Sequence, residues 1–171
     1  MELFEGKATP SLEVALMAIL AAVYAIGTIV LAPISFLAIQ VRVTDALIPL
    51  AFYLKRPAVA GVTIGNIIAN MFSPFGIIDI IVGTVANFIA AGSCMYVPER
   101  FWYLVGIIPT LVIGLLVGTE LAFFLGLELW LVFVIEVLLG SFVAIVILGT
   151  FVLAFVTKAF PQLENAFPRW R

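Results

Sequence analysis

This 171-residue chain has no histidine, one cysteine and little charge. Each shortage excludes something. Without histidine it lacks the usual general base, the usual proton shuttle and the commonest zinc ligand. The lone Cys94 excludes a disulfide within the chain and any multi-cysteine metal site. Charged residues make up 11% of the chain, where a soluble domain carries about 25%. The eight Lys and Arg residues form no basic patch, so nucleic acid is not an expected partner. No phosphate-cradling GxxxxGK[ST] motif occurs, so the chain does not use ATP by itself. The expectation is a protein with no metal and no cofactor that performs no covalent chemistry.

Apolar residues are abundant instead. They reach 65% and the mean hydropathy is +1.31, more apolar surface than a water-soluble core can hide, so lipid must be the solvent. The chain divides into six apolar runs, at about 12–31, 39–54, 58–72, 77–92, 101–124 and 129–156, against the roughly 20 residues a crossing helix needs. Thr9, Pro10 and Ser11 offer a cap and a first-turn proline to the first. Met1 to Glu13 is acid-containing and no small-residue cleavage site follows a short apolar run, so the first run is expected to stay as a helix. Pro49 should kink the second. Ser73-Pro74-Phe75-Gly76 reads as a turn. The sixth run is longer than a bilayer demands and must tilt, bend or project.

Lys7, Lys55, Arg56, Arg100, Lys158, Arg169 and Arg171 fall in alternate gaps between the runs. Basic loops mark the cytoplasmic side. The fold class read from this pattern is an all-α integral membrane bundle, a single domain of six transmembrane helices with both termini cytoplasmic.

Arg42 breaks the pattern, lying beside Asp45 where a helix should enter the membrane. Intramembrane charge is costly and by default marks function, although a snorkelling Arg with a structural partner fits the same pair. Asn66 and Asn70 share one helix face, and Asp79, Gly83 and Asn87 another. Amides can serve as interhelical glue, which suits Asn87. Asn70 and Asp79 flank the turn and can face a cavity, and Asp79 can equally favour its helix N-terminus. Glu128 fits a solvated turn. Glu136 lies about 10 Å along its helix and must be protonated, paired or facing a polar cavity. Arg42, Asp45, Asn70, Asp79, Glu120 and Glu136 all belong to the outer half, the pattern of a pocket open outward and sealed inward. The pairs Ala18/Ala22 and Ala21/Ala25 on the first helix permit close approach of another helix, from a partner or from the same chain.

The stretches QVRVTDALIPL and PAVAGVTIGNIIANMFSPFGIIDIIVGTVANFIAA, with GLLVGTEL further on, resemble the queuosine-precursor transporter family. Its members are substrate-binding (S) components of energy-coupling factor (ECF) transporters. The resemblance implies uptake of a small molecule, a 7-deazapurine such as queuine or preQ1, across the cell (plasma) membrane. It implies lipid, a transmembrane coupling subunit and two ATPases as partners. It carries Gln40, Arg42, Asp45, Asn70, Asp79, Glu120 and Glu136 over as substrate-binding residues, and Ala18, Ala21, Ala22 and Ala25 as the coupling-subunit contact. Glu136 is the choice for the ligand's donor edge, with Asp79 as the alternative. Asp45 stands where the family pattern has Glu, and Ile113 where it has Asn. An S component for another small vitamin, a stand-alone channel or secondary transporter, and a non-transport membrane scaffold or enzyme subunit are the alternative readings.

Overall fold

The computed structural model describes residues 8–35 and 41–167; Lys7, Gln40, Arg169 and Arg171 lie outside them. Among the described residues there are helices and no strands. Helix α1 (Pro10–Val30) starts where Thr9 caps it, the Thr9 hydroxyl accepting the Leu12 N–H at 3.3 Å. The short α2 (Ala32–Ser35) follows. After the second described stretch begins come a 3-10 turn (Val43–Leu47), α3 (Leu50–Leu54) and α4 (Arg56–Asn70). Next are α5 (Ile77–Tyr96), α6 (Leu104–Leu125) and α7 (Trp130–Ser141). A π-helical stretch (Phe142–Leu148) leads into α8 (Gly149–Ala159), and α9 (Leu163–Ala166) closes the series. Among the described residues four segments are long and apolar enough to cross a membrane: Pro10–Val30, Ile77–Tyr96, Leu104–Leu125 and Leu127–Ala159.

The run expected to form one kinked helix over 39–54 is instead broken. Pro49 supplies no N–H, so the Asp45 carbonyl takes the Ile48 N–H at 2.9 Å, an i to i+3 bond. Every residue from Thr44 to Lys55 is buried except the half-buried Leu47. The apolar stretch Val43–Leu54 rises only about 18 Å if helical, against a hydrocarbon core of about 30 Å. It is the centre of the bundle, with α1, α4, α5, α8 and the π-helical stretch packed around it. Lys55, read from sequence as a loop charge, is buried too. It turns the chain with φ at 58°, a region few non-glycine residues adopt. Its Nζ donates to the Met95 carbonyl at 3.1 Å and lies 5.4 Å from the Phe52 ring centre.

Close backbone contacts fix helix directions. A Cβ on Gly65 would lie 2.7 Å from the Ala21 carbonyl and from Tyr24 Cβ, and one on Gly61 2.8 Å from Leu20 Cβ. Higher numbers on α4 therefore meet higher numbers on α1, so the two run parallel. In contrast, Gly114 and Gly118 on α6 abut Leu138 and Val134 on α7, an antiparallel pair. Between α4 and α5 the chain turns at Gly76, whose φ of 69° suits glycine. In α6, Pro109 leaves the Val105 carbonyl without its helical donor. The buried Cys94 thiol donates to it at 3.3 Å. At the chain ends the Ala8 N–H donates to the Ala166 carbonyl at 3.2 Å.

The Leu127–Ala159 segment is 33 residues long, about 50 Å at helical rise. Wider π turns at Phe142–Leu148 interrupt it, and they pack on the 3-10 turn that carries Asp45.

Candidate ligand-binding site

The broken segment brings Arg42 and Asp45 into the interior, where both are buried. Tyr24 of α1 is the hub. Its hydroxyl donates to Asp45 Oδ1 at 2.5 Å and accepts from Asn87 Nδ2 at 2.7 Å. Asn66 Oδ1 of α4 lies 3.4 Å from the same hydroxyl and accepts from Arg42 Nη1 at 2.7 Å. One turn further along α1, Thr28 and Thr44 share a hydroxyl–hydroxyl bond of 2.5 Å. Four elements are thus tied by buried polar bonds, the kind of adhesive that membrane helices use in place of a hydrophobic drive.

Around the hub several polar atoms are left unsatisfied. Asn70 Nδ2 donates to the Asp79 carbonyl at 2.9 Å and lies 3.5 Å from Asp79 Oδ1. Gly83 makes room for this: a Cβ there would stand 3.3 Å from Asn66 Nδ2 and 3.4 Å from Asp79 Oδ1. Among the described residues Asp79 Oδ2, Asn70 Oδ1, Asn66 Nδ2 and both Glu120 carboxylate oxygens are buried without a hydrogen-bond partner. Glu120 is in electrostatic range of Asp79 and Arg42, and Arg42 of Asp45 and Asp79. One guanidinium therefore shares the interior with three carboxyl groups. A buried polar group without a partner costs about 1–3 kcal/mol, more if charged, so such a cluster demands a use. Its surplus is in acceptors, which fits a ligand rich in donors.

A void of about 10 Å³ lies at the centre, lined by Arg42, Asp45, Gly83, Asn87, Ile113, Val117, Val137 and Ser141. That holds about one water.

Of the residues singled out from sequence, the structure brings together Arg42, Asp45, Asn70, Asp79 and Glu120. Gln40 falls outside the described residues. Of those brought together only Arg42 and Asp45 line the void, and Asn70, Asp79 and Glu120 lie outside its lining, as does Glu136, which is half-buried beside the lining residue Val137 with its Oε2 buried and without a partner. The four alanines divide: Ala21 and Ala25 are buried, Ala18 and Ala22 exposed. Ala21 packs on Gly65 of this same chain. Sequence reasoning missed Tyr24, Thr28 and Ser141 as site residues. The signal for the first two was a polar pair four residues apart on one face of an apolar helix. No group of metal-ligating side chains occurs among the described residues.

Residues 14–158 match the QueT transporter family. The chain belongs to that family. No curated protein and no solved structure matches it. As a QueT-family member it is a multi-pass membrane transport protein. That role gives a QueT-family interior with spare acceptors a reason to exist, because a transporter must offer a polar solute the bonds that lipid cannot.

Proposed function

We propose that this chain is the S component of an ECF importer in the cell membrane and captures a queuosine precursor, a 7-deazaguanine, from outside. The observation that carries this reading is the cluster of buried acceptors without partners at Asp79, Glu120 and Asn70. A guanine-like edge presents a ring N–H and an exocyclic NH₂ side by side. A carboxylate accepts both in a charge-assisted, bidentate arrangement. Asp79 or Glu120 supplies that carboxylate, while Asn66, through its Nδ2 without a partner, donates to the ring carbonyl. Glu136, on the neighbouring helix, is a further carboxylate for the same edge. The ligand is far larger than the about 10 Å³ void, so capture opens the site before closing over it. No covalent step is involved.

Six crossings with both termini cytoplasmic accord with two contacts. Parallel α1 and α4 call for a return of the chain between them, which a six-crossing topology supplies. The bond between Ala8 and Ala166 accords with termini on one side. The coupling subunit, with its two ATPases, docks on the exposed Ala18/Ala22 stripe of α1, where small residues admit another helix backbone.

Titration calorimetry of the purified protein with queuine, with riboflavin as the unrelated vitamin, tests the reading. Saturable binding of queuine alone is expected. Binding of riboflavin and not queuine would make it an S component for another vitamin. Uptake of queuine by cells lacking every ECF coupling subunit would refute the coupling.

A further inference from the structure

Away from the polar interior, an open groove of about 660 Å³ lies between α4 and α5 at their Arg56 and Tyr96 ends. Val59, Ala60, Ile89 and Gly92 are among its lining residues, and none of the lining residues is acidic. A Cβ on Gly92 would meet nothing within 4 Å, so the cleft there is open. Phe88 and Ile89 on its walls are 58% and 44% exposed. Arg56 stands at one end, exposed. Tyr96, Trp102 and Tyr103 are exposed at the same end of the bundle. Tyr and Trp collect at the lipid headgroup level, which puts the Arg56 guanidinium at the depth of lipid phosphates.

We propose that this groove binds one anionic phospholipid, with an acyl chain along Val59, Ala60 and Gly92 and the phosphate on Arg56. Arg pairs phosphate through a planar fork of donors, and basic pockets between membrane helices on the cytoplasmic side favour acidic headgroups. A partner helix could use the small residues Ala60, Gly92 and Ser93, but an apolar one would leave the Arg56 guanidinium without an anion. The apolar walls capped by a single cation instead match the two-part chemistry of a lipid.

The test is native mass spectrometry of the detergent-purified protein with phosphatidylglycerol and phosphatidylcholine of identical chains. The wild type should retain phosphatidylglycerol about fivefold better, equivalent to about 1 kcal/mol for one basic residue at a charged lipid surface. Arg56→Gln, an exposed change that leaves the fold intact, should bind both lipids equally. Gly92→Leu fills the open cleft and should lose both, with its melting temperature kept. Equal retention of the two lipids by the wild type would overturn the proposal. So would a Gly92→Leu protein that keeps phosphatidylglycerol. Loss of a coupling subunit from the Gly92→Leu protein with lipid retention unchanged would assign the groove to a protein and overturn it as well.

Discussion

Removing one oxygen from the centre of the bundle should expose how the interior is held. In Tyr24→Phe, Asp45 Oδ1 loses its phenol donor and Asn87 Nδ2 its acceptor, two bonds of 2.5 and 2.7 Å. In a dry interior each orphaned group would cost about 1–3 kcal/mol. Two effects pull the figure down. Interhelical hydrogen bonds in membranes average about 0.6 kcal/mol and reach about 1.7, because the unfolded state in lipid also finds partners. The void of about 10 Å³ is lined by the two deprived residues, Asp45 and Asn87, so one water can bridge them. The expected loss is about 1–2 kcal/mol. Reversible unfolding in bicelles measures it, combined with Asn87→Ala in a double-mutant cycle. Residues in one network should couple by about 0.5–1 kcal/mol. A loss below about 0.3 kcal/mol with an additive cycle would remove Tyr24 from the role of hub.

Gly65→Ala places a Cβ 2.7 Å from the Ala21 carbonyl, a clash with backbone rather than with a movable tip. It should destabilise by about 1–3 kcal/mol, read by the same unfolding assay. Ser73→Cys should react with a membrane-impermeant thiol reagent added outside intact cells. The native Cys94 is buried and should stay silent, whereas labelling of Ser73→Cys only after permeabilisation would invert the topology. Ala22→Leu, on the exposed face of α1, should abolish co-purification with the coupling subunit while leaving queuine affinity unchanged. Ala21→Leu, against α4, should instead impair folding.

How much of this was legible in the sequence depends on what hydropathy can separate. Apolar runs with caps and turns placed α1, α4, α5 and α6, because Thr9-Pro10 and Ser73 to Gly76 are local signals acting through local hydrogen bonds. The broken segment was not legible as broken. Lipid-facing and protein-buried apolar residues look alike, so nothing marked Leu50 to Leu54 as packed inside the bundle rather than against lipid. Only Asp45 and Pro49 hinted otherwise. Reading by charge singled out Arg42, Asp45, Asp79, Glu120 and Glu136, since a charge in lipid has few bland explanations, and the first four come together in the interior. It missed Tyr24, an uncharged polar residue whose role depends on three elements distant in sequence. The four alanines span about 100° of helix arc at about 100° per residue. Sequence alone could not show that α4 covers one side of that stripe and leaves the other bare.

The central claim is that the buried carboxylate oxygens without partners, on Asp79 and Glu120, read the donor edge of a guanine-like ligand. The most direct measurement is a calorimetric comparison of queuine with an analogue lacking the exocyclic amine, on the wild type, Glu120→Gln and Asp79→Asn. Each substitution keeps shape but turns one acceptor oxygen into a donor. For the carboxylate that holds the amine, the mutant should bind queuine about ten- to a hundredfold more weakly, the worth of a charge-assisted bond of about 1.5–3 kcal/mol. Deleting the amine should then cost the wild type much more than that mutant. If every protein loses the same affinity when the amine is removed, neither Asp79 nor Glu120 reads it, and the account of the site fails.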